Sequence, residues 1–184
     1  MFIQTERTPN PASLKFLPGQ TVLAGETVDF ASEAAAEASP LAQRLFAIPG
    51  VAGVFLGTDF ITVRKTEARD WQVMKPEILG AIMEHFTLGE PVMTPSAPAA
   101  TPVSATAEDA IVGQIRELLE TRVRPAVAQD GGDITFQSFE DGIVFLELRG
   151  SCAGCPSSTA TLRNGIENLL KHYIPEVREV RAVS

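Results

Sequence analysis

The sequence predicts an α+β protein in which two small α/β domains are joined by a flexible linker rich in proline and alanine. Residues 91–105 contain four prolines, no charged residue and no apolar periodicity. Runs of strand length and runs with helical spacing occur on both sides of that segment. A chain of 184 residues is long enough for two small cores. The predicted domains are therefore residues 1–90 and 106–184.

The linker is predicted to let the two domains move independently. Proline at this density favours an extended, polyproline-like chain that rises about 3 Å per residue. A loop of this length packed on one domain is less favoured, because long structureless loops are uncommon inside compact domains.

The first domain begins with three short runs typical of strands, at residues 2–7, 13–17 and 27–31. Prolines and glycines between these runs, such as Pro11 and Gly19, are typical of turns. We expect the three strands to form a meander.

The rest of the first domain is predicted as a helix, a hairpin and a second helix. A proline opens the short helix at residues 40–46. Two apolar runs, residues 51–56 and 60–63, flank a turn that contains glycine and therefore predict a hairpin. Residues 75–88 carry apolar side chains at helical spacing and stop before a glycine.

Two side chains of this domain are candidates for a functional role. His85 lies on the second helix, and we place it away from the apolar stripe. We expect it to face solvent and not to bind a metal. Trp71, the only tryptophan, could anchor a partner, but packing on the first domain is the expected role.

The second domain is predicted as helix, strand, strand and helix, with an optional strand at its end. The predicted segments are residues 108–123, 134–139, 143–148, 157–173 and 177–183. Pro125 is expected to halt the first helix or to bend its last turn. Residues 130–133, which read Asp-Gly-Gly-Asp, are interpreted as a turn with solvated acids, although they could also shape a dimer or partner surface.

Charge and composition exclude several classes of protein. The net charge is −8, and residues 1–107 and 108–184 each contribute −4. Because neither part is basic, we expect no nucleic-acid partner. No apolar run reaches membrane-spanning length, so we expect no membrane partner. Two closely spaced cysteines cannot form the disulfide framework of a small secreted protein, and they favour a reducing compartment.

The two cysteines of the chain, Cys152 and Cys155, are the strongest functional clue. They form a Cys-x-x-Cys pair between a predicted strand and a predicted helix. Such a pair can bind one metal centre, but zinc and iron–sulfur clusters usually take four ligands. Since only His85 and His172 remain as soft ligands, and neither is expected to be one, a second copy of the chain is the simplest source of the missing pair.

The residues around the pair suggest how it is presented. Pro156 suits the first position of a helix, which places Cys155 at its cap. Helix N-termini stabilise thiolates and other anions, so both cysteines are expected to be more reactive than free cysteine. Gly150 and Gly154 leave room for a bulky inorganic centre, and the small polar neighbours suggest an exposed loop.

Three kinds of site remain open from these residues alone. The first is an iron–sulfur site assembled across a twofold axis, with the same two ligands from each subunit. The second is a thiol–disulfide exchanger that works through Cys152 and Cys155. It is less favoured because thioredoxin-like motifs place proline between the cysteines. The third is a structural zinc site shared by two chains.

Several separated motifs resemble one family of proteins. The second domain is similar to the C-terminal domain of the NifU family, and the first is similar to the N-terminal domain of Nfu-type proteins. The motifs of the second domain are Arg124-Pro125, Asp130-Gly131-Gly132-Asp133, Gly150-x-Cys152-x-x-Cys155-Pro156-x-Ser158, Thr161-Leu162 and Gly165-Ile166-Glu167. Those of the first are Met1-Phe2-Ile3-Gln4-Thr5-Glu6, Thr8-Pro9-Asn10-Pro11 and Lys15-Phe16.

The resemblance implies an iron–sulfur cluster scaffold or carrier that is not an enzyme. It implies that Cys152 and Cys155 of two subunits hold a 4Fe–4S cluster, or alternatively a 2Fe–2S cluster, in a homodimer. The implied partners are apo iron–sulfur proteins that receive the cluster and assembly proteins that act upstream. With no transit segment before Met1, we expect a bacterial cytoplasm, or the mitochondrial matrix for a processed eukaryotic form.

Overall fold

The architecture is that of a computed structural model, which describes residues 1–94, 107–153 and 156–183. The chain divides into two compact units at about residue 97, and each unit is mixed α/β as predicted. Within the described ranges, no helix combines the length and the apolar character that crossing a bilayer requires. The domain boundaries remain a prediction.

The first unit is built on a five-stranded antiparallel sheet in the order β1-β2-β5-β4-β3. The strands are β1 (Gln4–Arg7), β2 (Ser13–Leu17), β3 (Val28–Phe30), β4 (Val51–Leu56) and β5 (Ile61–Lys65). The hairpin of β4 and β5 is confirmed. The predicted meander is correct only for β1 and β2, because β3 pairs with β4 at the opposite edge.

Two helices cover this sheet, α1 (Pro40–Phe46) and α2 (Trp71–Leu88), and a short 3-10 turn, Ala34–Ala38, precedes α1. Ser39 caps α1, since its Oγ accepts a hydrogen bond from the Ala42 N–H at 3.1 Å. The second helix starts four residues before its predicted start and ends at Gly89, whose φ of 66° suits glycine.

The core of the first unit lies between α1, α2 and the sheet. Its fully buried side chains include Phe16, Leu41, Leu45, Ile78 and Ile82. Trp71 packs against this core, and its Nε1 donates a hydrogen bond to the Pro11 carbonyl at 3.1 Å. The role expected for Trp71 is therefore confirmed.

The first residues of the predicted linker pack on the same core. Val92 and Met93 contact it, and the Val92 carbonyl accepts a hydrogen bond from Ser39 Oγ at 2.6 Å. The Thr94 N–H donates to the Ala38 carbonyl at 2.8 Å. Residues 91–94 therefore belong structurally to the first unit, whereas residues 95–105 of the predicted linker lie outside the described residues.

His85 is buried, so the prediction that it faces solvent is wrong. Its side chain has no exposed surface, because it follows Ile82 by three residues and continues the buried face of α2. Neither ring nitrogen makes a hydrogen bond of good geometry within the described residues. Burial lowers the pKa of His85, with Arg44 adding to the effect, although the Glu90 carboxylate 3.5 Å away opposes it.

The second unit contains a three-stranded sheet in the order β6-β7-β8. The predicted hairpin is formed by β6 (Gly132–Glu140) and β7 (Ile143–Gly150), and the optional last strand is present as β8 (Glu179–Val183), parallel to β7. Asp141 and Gly142 connect the hairpin with φ values of 51° and 80°. Two successive positive φ values are typical of the two-residue turns that match strand twist.

The helices of this unit are α3 (Ala107–Leu118), α4 (Arg124–Gln129) and α5 (Pro156–Tyr173). A π-helical turn, Leu119–Val123, joins α3 to α4, so the chain stays helical through Pro125 where we expected a halt or a bend in the last turn. The Arg124 N–H bonds to the Leu119 carbonyl, five residues back. The wider turn accommodates a proline ring that would crowd a regular α-helix.

The second core lies between these helices and the sheet. Its buried apolar side chains include Ile115, Leu119, Val127, Ile134, Val144, Leu146, Ile166, Leu170 and Val180. Cys152 also belongs to this core, and it is the starting point of the candidate site.

Candidate metal centre

Cys152 lies in the turn that follows β7 and precedes α5. Its side chain is only 8 % exposed and packs against the second core, so the expectation of an exposed loop is wrong at this residue. The helix begins at Pro156, as predicted. Cys155 and Gly154 lie outside the described residues, so the geometry of the cysteine pair remains a prediction.

Hydrogen bonds hold the cysteine turn on both sides. The N–H of Ser151 donates to the Gly131 carbonyl at 3.2 Å, and its Oγ donates to the Asp130 carbonyl in a short hydrogen bond. On the other side, Thr159 Oγ donates to the Cys152 carbonyl at 3.2 Å. Cys152 is thus tied to the start of β6 and to the first turns of α5.

Gly132 gives the cysteine side chain its space. A Cβ at Gly132 would lie 2.5 Å from Cys152 Sγ and 3.0 Å from the Arg149 carbonyl oxygen. Gly132 pairs with Gly150 in the hairpin, which places the start of β6 beside the cysteine turn. A side chain at Gly132 would therefore displace the thiol.

Asp133, the next residue of β6, is held by an ion pair with Arg124. It is 4 % exposed, and its two carboxylate oxygens accept from Arg124 Nε at 2.9 Å and Arg124 Nη2 at 3.0 Å. The expectation that both acids are solvated is therefore wrong for Asp133 and correct for the exposed Asp130. The hydrogen bond to Asp133 is the main cause that raises the pKa of Arg124.

These contacts define positioning residues that the sequence analysis did not identify: Arg124, Gly132, Asp133, Ser151 and Thr159. The Asp-Gly-Gly-Asp motif and the predicted hairpin were the available signals. A hairpin centred on residues 141–142 places residues 131–133 opposite the chain just before Cys152. Two glycines at that point suggest a close approach of side chains to backbone.

The surroundings of Cys152 favour a protonated thiol in this conformation. Burial, followed by the negative charges of Asp130 and Asp133, raises its pKa to about 11, while a hydrogen bond with Ser151 acts in the opposite direction. The thiolate stabilisation expected at a helix N-terminus is therefore not observed at Cys152. A raised pKa also argues against a nucleophilic cysteine of the thiol–disulfide type.

The described residues offer no complete metal site by themselves. In residues 1–94, 107–153 and 156–183, no group of three or more His, Cys, Asp and Glu side chains is placed to hold a metal ion. His172 is exposed on α5, where its ring contacts Tyr173 edge to face at 5.0 Å.

Comparison with known proteins assigns both units. Residues 3–89 match the family model described as scaffold protein Nfu/NifU N terminal, and residues 115–181 match the NifU-like domain. A solution NMR structure of a NifU-like protein from Saccharomyces cerevisiae is 32% identical and covers 52% of this chain and 87% of that chain, with a TM-score of 0.45.

Full-length relatives agree with the two family models. The human protein named NFU1 iron-sulfur cluster scaffold homolog, mitochondrial, is 53% identical over all 184 residues, which span 72% of its length. The Drosophila persimilis protein of the same name is 52% identical over 184 residues, which span 65% of its length. The chain therefore belongs to the Nfu family of scaffold proteins.

Proposed function

We propose that this chain is an iron–sulfur cluster scaffold or carrier. Two copies would hold one 4Fe–4S cluster through Cys152 and Cys155 of each copy and pass it to apo iron–sulfur proteins. The observation that carries the proposal is a buried cysteine held in a turn by Ser151, Gly132 and Thr159, in a family of scaffold proteins. The chain has only one other cysteine to offer.

Two copies are needed because the coordination shell of the cluster is larger than one chain's donor set. Iron–sulfur clusters are typically held by four thiolates, and each chain has two cysteines. In a twofold dimer, the same pair comes from both subunits. The two-iron cluster would take the same four ligands, so iron content distinguishes the two forms.

Loading requires the cysteine turn to change. Cys152 has to leave the second core and lose its proton before it can bind iron, and both steps cost free energy. That cost weakens binding relative to a preformed cage. A scaffold benefits from this, since the cluster has to leave again by exchange with the recipient's cysteines.

The proposed partners are the recipients of the cluster, the assembly proteins that supply it and a second copy of the chain. No chemical conversion of a substrate is required of the protein, so we propose that it is not an enzyme. The relatives are named as mitochondrial proteins, which supports a mitochondrial location for this chain.

Anaerobic reconstitution with ferrous iron and sulfide tests the proposal. We expect a brown dimer with about four irons and four sulfides per two chains. Cys152→Ser and Cys155→Ser should each abolish the cluster, whereas His172→Asn, which alters the exposed histidine of the same unit, should load normally. Metal and sulfide analysis combined with native mass spectrometry measures all of this.

A fully loaded monomer would contradict the proposal, because one chain would then supply the complete shell. Normal loading of either serine variant would do the same. A colourless protein that catalytically reduces disulfides through Cys152 and Cys155 would instead support the redox alternative.

A further inference from the structure

The first unit contains a cavity that the cluster site does not use. Its volume is about 500 Å³, and it opens where β1 ends and α2 begins. Trp71, Pro9 and Pro11 supply much of its apolar wall. The hydrogen bond from the indole to the Pro11 carbonyl fixes the ring, so the aromatic wall is formed without a ligand.

A buried polar group on the wall of the cavity has no partner. Ser13 is 2 % exposed, lines the cavity and has an Oγ without a hydrogen bond in the described part of the chain. A buried hydroxyl that makes no hydrogen bond costs free energy. A ligand that reached this hydroxyl would satisfy it.

The charge of the cavity is opposite to that of the chain. Arg7 and Lys75 line it, and no Asp or Glu does, although the chain has a net charge of −8. Within the described residues, neither Arg7 nor Lys75 forms an ion pair, whereas Lys15, Arg44 and Arg64 of the same unit each pair with an acid. The cavity therefore favours an anion.

The shape of the site favours an extended chain over a small ion. Thr5 and Arg7 of β1 line the cavity, and among the described strands β1 is an edge strand that pairs with β2 alone. Edge strands present backbone N–H and C=O groups that can pair with one more strand. A peptide paired with β1 would run beside Thr5 and Arg7, two residues that line the cavity.

We propose that this cavity and the edge of β1 form a docking site for an extended acidic segment of a client protein. Carboxylates of the segment contact Arg7 and Lys75, an apolar side chain packs on Trp71, and its backbone pairs with β1. That the client protein is a recipient of the cluster rests on the proposed function. The binding chemistry itself does not involve the cluster.

Fluorescence of Trp71 tests the proposal in the full-length apo protein, because no other tryptophan contributes. The probe is an eight-residue peptide, blocked at both ends, whose odd positions alternate glutamate and leucine and whose even positions are threonine, so that one face of the strand carries both kinds of side chain. We expect a saturable change in emission. The same peptide with glutamine in place of glutamate should bind about tenfold more weakly, and a version methylated at alternate backbone nitrogens should not bind.

Protein variants locate the site. Arg7→Gln combined with Lys75→Gln should weaken binding of the acidic peptide by about tenfold, whereas Lys65→Gln, a lysine of the same unit outside the cavity, should leave it unchanged. Both cavity cations are exposed, so the double variant is expected to fold normally. Ser13→Ala should weaken binding by about threefold.

Several results would overturn the proposal. These are the absence of a saturable signal, equal binding of the glutamine peptide, or equal binding by the Arg7 and Lys75 double variant. Full displacement by millimolar succinate or inorganic phosphate would show a small-anion site instead. Cluster loading of the double variant, measured separately, should be normal, so failure of the docking site and failure of the scaffold function are distinguishable.

Discussion

Two buried polar side chains in each unit differ in whether they make hydrogen bonds. In the second unit, Ser151 and Asp133 are buried and hydrogen-bonded, and both hold the turn that carries Cys152. In the first unit, Ser13 and His85 are equally buried but their side chains lack hydrogen bonds of good geometry within the described residues. Paired groups fix a structure, whereas unpaired ones remain available to a ligand or a proton. The comparison supports our proposal that the first unit recognises a client, while the buried groups of the second unit position the cysteine turn.

The largest effect is expected from breaking the ion pair between Arg124 and Asp133. Arg124→Ala leaves a carboxylate in a site that is 4 % exposed and should lower the free energy of unfolding of the second unit by about 2–3 kcal/mol, less than for a fully buried pair because Arg124 is partly exposed. Glu120→Ala, which removes the exposed partner of Arg124, should have little effect. Urea unfolding followed by hydrogen exchange in β6 and β7 measures the stability of both variants. Equal losses of stability in the two variants would contradict a stabilising ion pair between Arg124 and Asp133.

A slightly smaller effect is expected at Gly132. Gly132→Ala places a methyl group against Cys152 Sγ and the Arg149 carbonyl, and should destabilise the second unit by about 2 kcal/mol. The displaced thiol should also react faster with iodoacetamide. Gly165→Ala on α5 meets no atom within 4 Å and should stabilise the same unit by about 0.5–1 kcal/mol. If both alanine variants behaved alike, close packing at Gly132 would be excluded.

Ser13 and Ser151, one buried serine from each unit, give a matched pair. Ser151→Ala removes the hydrogen bond to the Asp130 carbonyl and should cost about 1–2 kcal/mol. Ser13→Ala removes a buried hydroxyl that has no hydrogen bond in the described part of the chain, and should leave the stability of the first unit unchanged or raise it by up to about 1 kcal/mol. Trp71 fluorescence reports on unfolding of the first unit. A large loss at Ser13 would mean that its hydroxyl is already satisfied.

The smallest effect is a pH dependence of the first unit. Burial lowers the pKa of His85 below its unfolded value near 6.5, so the unfolded state binds the proton more readily. Stability should therefore fall as the pH drops below 6.5, by at most about 1.4 kcal/mol per pH unit. The ring faces Glu90 and Arg44, and Arg44 also contacts Glu84. His85→Leu should remove this slope between pH 6.5 and 5, and an unchanged slope would assign it to other groups.

Most elements of the fold could be predicted from local patterns. The bounds of β2, α1 and β4 follow from apolar runs between prolines and glycines, and α5 begins at the proline that predicted its start. The burial of His85 could also have been predicted, because it lies three positions after the buried Ile82. We placed the polar His85 side chain in solvent, although its position on the helix puts it on the buried face.

The hairpin predicts that residues 131–133 lie near the cysteine turn, but the exact register of that contact could not be predicted from the sequence. A regular hairpin centred on residues 141–142 would oppose Gly150 with Asp133, but a bulge between Phe136 and Ser138 shifts the register and brings Gly132 there instead. Nothing in the local sequence marks that extra residue. The burial of Cys152 and the ion pair of Asp133 both depend on this register. Without it, the small polar residues around Cys152 suggested an exposed loop.

The π-helical turn before Pro125 has a consequence for the length of the chain. Each residue rotates an α-helix by about 100°, so one additional residue changes the angular phase between the segments on either side. If Leu119–Val123 instead wound as an ordinary α-helix at the same chain length, Ile115 would rotate relative to Arg124 by most of that angle. The apolar face of α3 could then no longer contact the second core while the Arg124 guanidinium contacts Asp133.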